Sequence, residues 1–311
     1  MAASSATLTV RKAVKDLLAG TAGQEIAVAV SGGADSLALA AATATLTDVT
    51  ALIVDHGLQP GSAGVARTAA ARLREFKIDS RILAVQVGGA GGMEAAARRA
   101  RYQALKAAHD GLILLGHTLD DQAETVLLGL GRGSGPRSIA GMRALDPPWG
   151  RPLLGIRRSV TVEACAEFGL EPWQDPHNAD PRFTRVRLRH ELIPLMEEVL
   201  QGGVAGALAR TAGQLREDLD ALDEIASRVP RTGGELQVAD LLPHPPAIRR
   251  RVLRLWLKDA GVPELTDGHL RSADALVGEW RGQGGVWLPG GFVARRRHGR
   301  LCVQPPGQIT S

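Results

Sequence analysis

The chain has 311 residues, 44% hydrophobic and 23% charged, a composition that excludes a disordered polymer and suffices for one large core or two domains. No run approaches 18 apolar residues, so no membrane partner is expected, and two distant cysteines without a Cys-x-x-Cys indicate neither a disulfide framework nor a zinc site. The net charge of +4 hides an asymmetry: from Arg231 onward there are 12 Lys/Arg against 7 Asp/Glu, so the first 230 residues carry −1 and a polyanion would dock on the tail.

The opening 20 residues read as an amphipathic helix rather than a leader, and a cytoplasmic enzyme is expected. Apolar runs then recur at 26–30, 50–54, 82–87 and 112–115, separated by stretches with helical spacing. Strands alternating with helices predict an α/β fold, a doubly wound parallel sheet whose ligands sit beyond the carboxyl ends of the strands.

The first strand exit reads Ser31-Gly32-Gly33-Ala34-Asp35-Ser36 and opens an apolar helix. Glycines let main-chain N–H groups close around an anion, and the helix N-terminus adds its dipole, so a phosphate belongs here. No Lys-Ser or Lys-Thr pair follows, which excludes the loop that grips the outer phosphates through a lysine. Two hydroxyls and a carboxylate suit a pyrophosphate with bound Mg2+, while the plain alternative is a capped strand-to-helix turn.

At the second exit, Asp55 and His56 can meet a ribose or an adenine edge, or form a polar turn. The third is the glycine run 88–92, followed by Glu94, Arg98 and Arg101 on one helix face, either a surface ion-pair row or a row aimed at phosphate. The fourth reads Gly116-His117-Thr118-Leu119-Asp120-Asp121-Gln122-Ala123-Glu124-Thr125. Thr118 can cap the helix, but capping needs neither His117 nor three carboxylates. Glu124 shares a face with Asp120 or Asp121, a cluster able to hold Mg2+, receive a cationic substrate or accept a proton from an attacking amine.

The glycine-rich stretch 131–137 reads as a lid carrying Arg132 and Arg137, or as a plain surface loop. Arg151-Pro152-Leu153-Leu154 reads as an edge segment returning to the sheet. Arg182, Arg185, Arg187, Arg189 and His190 crowd into nine residues with few acids nearby, which makes phosphate contact a candidate beside a solvated helix start. Leucines at 208, 215, 219 and 222 with Ile225 and Val229 predict a bridging helix that ends before Pro230. Beyond it, 235–242 reads as a strand, 247–260 and 267–279 as helices, and 285–288, 292–296 and 300–303 as an antiparallel meander bearing much of the basic surplus.

Together, SGGADS at 31–36, VDHGL at 54–58, EAAARRARY at 94–102, GHTLDDQAET at 116–125, RGSG at 132–135, RPLL at 151–154 and DPHNAD with FTRVRLRHELIP at 175–194 resemble the tRNA(Ile)-lysidine synthetase family of pyrophosphatase-loop ATPases. The resemblance implies an adenine nucleotide alpha hydrolase-like catalytic domain over 1–203, a linker helix over 204–229 and a smaller α+β tRNA-binding domain over 230–311, working as monomer or homodimer. It implies ATP-dependent attachment of free L-lysine to C2 of the wobble cytidine of tRNA(Ile) with a CAU anticodon, releasing AMP and pyrophosphate. Ser31, Gly32, Gly33, Ala34, Asp35 and Ser36 would hold the ATP phosphates, Asp35 with Mg2+, and Asp55 and His56 would lie near the nucleoside. Asp121 and Glu124, with His117 close by, would place lysine and receive charge or protons, and Arg98 and Arg132 would stabilise the adenylated intermediate. Gln59 stands where the family commonly carries arginine. The alternatives are a tRNA thiolase, which relies on reactive cysteines, and a small-molecule amidoligase, which leaves the acid cluster and basic tail unused.

Overall fold

A computed structural model describes residues 5–21, 23–57, 61–86, 88, 93–133, 135–173, 175, 180–231 and 234–307. The features expected at Gln59, 89–92, Ser134 and 176–179 lie outside the described residues, as does the side chain of Glu94. The chain divides into two compact units, Met1–Arg132 with Gly141–Ala212, and Gly133–Ala140 with Gly213–Ser311.

In the first unit, helix α1 (Ala6–Leu18) precedes β1 (Ile26–Val30), α2 (Ala34–Ala44), β2 (Thr50–Asp55), α3 (Ser62–Glu75), β3 (Asp79–Ala84), α4 (Met93–Ala108), β4 (Leu112–Leu115) and α5 (Leu119–Gly131). After α6 (Pro136–Ile139), which belongs to the second unit, come β5 (Leu145–Asp146), β6 (Trp149–Gly150), α7 (Arg158–Glu167), α8 (Thr184–Arg187), α9 (Ile193–Val199) and α10 (Val204–Ser227). The sheet order is β3-β2-β1-β4-β6-β5, parallel except for β5. Every residue of β1 and β4 is buried, as expected of central parallel strands covered on both faces. Alternation sends Ile26, Val28 and Val30 into the core shared with α1, α2, α3 and α7, and Ala27 and Ala29 into the core against Leu105 and Tyr102 of α4. This is the expected doubly wound arrangement, and it brings the exits of β1, β2 and β4 together.

Three local expectations are corrected. Strand β3 starts at Asp79, not Ile82, because it pairs residue for residue with β2 from Thr50 onward, and its polar start is tolerated on a largely exposed edge strand. The return to the sheet is made by Trp149–Gly150, and Pro152–Gly155 is a 3-10 turn. Only Glu235–Gln237 of the stretch 235–242 is a strand (β7), since Val238 and Leu241 bury at helical spacing in α11 (Val238–Leu241).

The second unit continues with α12 (Pro246–Asp259), α13 (Asp267–Gly278), β8 (Val286–Leu288), β9 (Phe292–Arg297) and β10 (Arg300–Gln304). Its antiparallel sheet has the order β7-β10-β9-β8 and packs with Ile248, Val252, Trp256 and Leu276 around a core of its own. The division between units falls after Ala212, inside α10, rather than at either end of the expected linker helix. Among the described residues no single helix is long and apolar enough to cross a membrane.

Candidate active site

The phosphate-loop signature forms a braced turn. Gly32 has φ +85°, a left-handed conformation that favours glycine, and Gly33 caps α2 in an extended conformation. The buried Ser36 hydroxyl donates to Gly33 O (3.0 Å) and accepts from Ser31 N (3.1 Å), so Ser36 closes the turn from inside while Ser31 stays exposed. The Trp173 N–H donates to Gly32 O (2.9 Å). The first turn of α2 leaves N–H groups without intrahelical acceptors, which makes the loop an anion site.

Asp35, in that first turn, does not stand alone. Its Oδ2 lies 3.2 Å from Arg158 Nε, and its Oδ1 accepts from the Thr161 hydroxyl. Burial pushes its carboxyl above the ordinary aspartate range, against the pull of Arg158 and Thr161. The same Arg158 donates through Nη2 to Asp121 Oδ1 (2.8 Å), tying the phosphate loop to the fourth strand exit.

At that exit Thr118 caps α5. Asp121 Oδ2 accepts from both the Thr118 N–H and its hydroxyl, each at 2.8 Å, completing a capping box. Arg158 and these Thr118 hydrogen bonds outweigh burial and hold the Asp121 carboxyl below its ordinary range. Glu124 is fully buried: Arg189 contacts its Oε1 at 2.7 Å and Arg185 its Oε2 at 3.3 Å, while burial pushes its carboxyl up. Asp120 accepts from Arg158 N (2.8 Å). Carboxylates and guanidiniums thus alternate from Asp35 through Arg158, Asp121, Arg189 and Glu124 to Arg185.

This pairing overturns the expectation that the arginine-rich segment lacks balancing acids. Arg185 and Arg189 meet Glu124, Arg187 pairs with Glu191 at 2.9 Å, and Arg182 pairs with Asp180 at 2.6 Å. Arg158 and Thr161 had no visible signal in the sequence, since Arg158 lies 37 residues beyond Asp121 in an ordinary helix start.

Beside the loop, a cavity of about 290 Å3 is lined by Ser31, Asp55, His56, Arg101, Trp173 and Asp175 with apolar residues of β2 and α3. Asp55 accepts from Gly57 N (3.0 Å), which lowers its carboxyl. Burial, aided by Arg101, pushes the His56 imidazole below its usual range, and His56 Nδ1 is buried without a partner among the described residues. His117 is pushed down to about 3, chiefly by burial and against the pull of Asp121, so its ring is neutral at physiological pH. Arg101 acts on both imidazoles and faces this cavity. Arg98 is exposed and lies over Tyr102, with Cζ 4.8 Å from the ring centre, and Arg132 is exposed at the C-terminal end of α5. The structure therefore brings Ser31, Asp35, Asp55, His56, His117 and Asp121 toward one end of the sheet and adds Arg101 and Arg158.

Gly116 makes this closeness possible. A Cβ there would lie 3.0 Å from Asp35 C, 3.1 Å from its O and 3.1 Å from Ser36 N, all backbone atoms that cannot swing aside. Gly116→Ala is expected to cost about 1–3 kcal/mol by overpacking and to separate the loop from the acid cluster. Denaturant unfolding measures the first effect, and unchanged stability would remove this contact from the account.

In the second unit, Arg137 pairs with Asp223 (2.6 Å), so the expected lid arginine is engaged, and Arg251 shares that carboxylate at 3.0 Å. Arg249 holds Asp274 at 2.6 Å, and Arg296 lies over Trp280. Part of the basic tail is thus spent internally.

A family model described as the PP-loop domain matches residues 6–196, and one described as the TilS substrate binding domain matches residues 236–302. The tRNA(Ile)-lysidine synthase of Rhodococcus erythropolis (strain PR4) is 60% identical over 291 residues, covering 90% of this chain and 90% of that protein. That of Mycobacterium tuberculosis (strain H37Rv) is 59% identical over 292 residues, covering 89% and 90%. Among solved structures, a U34-tRNA thiolase from Methanococcus maripaludis aligns over 68% of this chain and 80% of its own, with TM-score 0.56 at 17% identity, a likeness of fold alone.

Proposed function

The chain belongs to the tRNA(Ile)-lysidine synthase family, and we propose that it ligates free L-lysine to C2 of the wobble cytidine, position 34, of an isoleucine tRNA with a CAU anticodon. In the first step the cytidine C2 oxygen bonds to the α-phosphorus of ATP and pyrophosphate leaves. In the second the lysine amine bonds to C2, the C2–O bond breaks with AMP as leaving group, and the amine gives up a proton. The observation that carries this reading is the single guanidinium of Arg158 joining Asp35 of the phosphate loop to Asp121 of the acid cluster. Two cation-seeking carboxylates stand within one residue's reach of an anion cradle, which suits a triphosphate on one side and an ammonium on the other.

The turn from Ser31 to Ser36 receives the phosphates, and the cavity at Asp55, His56 and Arg101 receives the nucleoside. Asp121 receives the amine, assisted by neutral His117 as a hydrogen-bonding neighbour. Glu124, fully buried between Arg185 and Arg189, acts by holding them against the cluster. Arg98 and Arg132, both exposed, remain assigned to the adenylated intermediate. A Mg2+ ion carried by the triphosphate fits Asp35, since Mg2+ at such sites takes one or two carboxylates plus phosphate oxygens, and among the described residues no three-ligand cluster offers another place. Bound there, it would neutralise charge on the departing pyrophosphate. The setting for such a tRNA-modifying ligase is the cytoplasm.

Sulfur transfer is disfavoured by the cysteines. Cys165 is buried, donates to Ala34 O (3.2 Å), and is pushed up to about 11 by burial, so it offers little thiolate. Cys302 sits in the sheet of the second unit. Incubation with ATP, labelled lysine and unmodified CAU isoleucine tRNA should place label at position 34 with one AMP per lysine attached; an unlabelled nucleoside under conditions that support ATP binding defeats the proposal.

A further inference from the structure

The outward face of the small sheet carries an aromatic side chain that folding does not use. In β8 the neighbours Val286 and Leu288 turn toward the core, and alternation sends Trp287 out, where it is 64% exposed. Register places Trp287 opposite Val293 on β9 and Val293 opposite Gln304 on β10, while Arg295 lies opposite Cys302 and Arg297 opposite Arg300. Trp287, Arg295, Arg297 and Gln304 therefore share one face.

This face is prepared in two respects. Gly285, also on it, lacks the Cβ that would lie 2.7 Å from Arg295 Cγ and 2.9 Å from its Nε, so the arginine stem packs against bare backbone two residues from the tryptophan. Arg295 Nε and Gln304 Oε1 are buried with no hydrogen-bond partner among the described residues, which leaves unspent hydrogen-bonding capacity on the face that carries the tryptophan. The surrounding charge is basic: Arg297, His298 and Arg300 are exposed, and the acid on this face, Glu235, is engaged by Arg300 at 3.0 Å. An open π-face beside guanidiniums on an antiparallel sheet matches the needs of an unpaired base and its flanking phosphates, since every base has a face to stack and each phosphate calls for a cation.

We infer that Trp287 is a stacking platform for an unpaired nucleobase of the tRNA substrate, with Arg297 on an adjoining phosphate and Arg295 and Gln304 at the edge of the base. The inference rests on the tRNA-modifying reading above and adds a recognition surface distinct from the phosphate loop. Trp287→Ala should weaken binding of unmodified isoleucine tRNA about tenfold in filter-binding titrations and raise KM for tRNA without changing kcat at saturation. Trp287→Phe, which retains a ring, should recover most of the affinity. Arg297→Gln should lower the slope of log Kd against log salt by about one. The fluorescence difference between wild type and Trp287→Phe should be quenched when tRNA is added, a readout that does not require the alanine variant to fold.

If lysidine forms but Trp287→Ala binds tRNA within twofold of wild type and the difference fluorescence is unquenched, the platform is refuted while the ligase reading stands. If tRNA binds with the expected Trp287 dependence but no lysidine forms, the ligase reading falls and the platform stands.

Discussion

Asp35→Asn should reduce conversion of ATP to AMP by at least about 100-fold, the scale expected when a charge that organises a phosphate site is lost, while the protein remains folded. Asparagine has the same shape and can still accept from Thr161, so the turn braced by Ser36 keeps its geometry. What disappears is the negative charge. Because burial raises this carboxyl above its ordinary range, the native state holds its proton more tightly than the unfolded chain. Stability therefore falls as pH rises through that range, and the ionised group costs stability at neutral pH. The neutral variant carries no such cost, so its thermal midpoint at pH 7 should equal or exceed that of wild type even as turnover collapses. Chromatographic measurement of AMP release and circular-dichroism melting test the two halves together. Turnover within tenfold of wild type would take Asp35 out of the chemistry, and an unfolded variant would make it a structural residue.

The site was half legible in the sequence, and the illegible half has one physical cause. Central strands β1 and β4 are buried on both faces, so they read as uninterrupted apolar runs and their bounds could be placed to the residue. Edge strand β3 has no such run, because its extent is dictated by pairing with β2. The chemistry follows the same division. Asp35, His117 and Asp121 announce themselves because each follows a strand end, but the cations that set their charge come from afar: Arg158 reaches Asp121 across 37 residues, and Arg185 and Arg189 reach Glu124 across 61 and 65. Local spacing shows which residues share a helix face and cannot show which distant helix start folds against it. In the sequence the arginine-rich segment therefore reads as a candidate phosphate contact or a solvated helix start, whereas two of its members neutralise a fully buried glutamate.

The alternating chain of charges also makes Arg158 the residue whose loss should be felt at both ends of the site. The Asp121 carboxylate raises the Asp35 carboxyl, and the guanidinium between them lowers both. Arg158→Gln removes that cation and leaves two carboxyls facing each other, so both should titrate at higher pH. Asp121, held below its ordinary range in the native state, contributes stability that is present above the unfolded aspartate range and lost as pH falls through its native one. Without Arg158 that contribution shrinks, and stability at pH 7 should drop by roughly 2–4 kcal/mol, as expected when one partner of a largely buried ion pair is removed. Activity that needs ionised Asp121 should show the same direction: the acid limb of kcat/KM for lysine against pH moves upward, and its plateau falls by about 10- to 100-fold. Arg158→Lys restores the charge but not the two-pronged reach from Nε to Asp35 and from Nη2 to Asp121, so it should recover stability more fully than rate. A merely structural arginine would lower stability and leave the pH profile in place. An acid limb unmoved in a folded Arg158→Gln protein would therefore separate the phosphate loop from the lysine site and require another group to couple them.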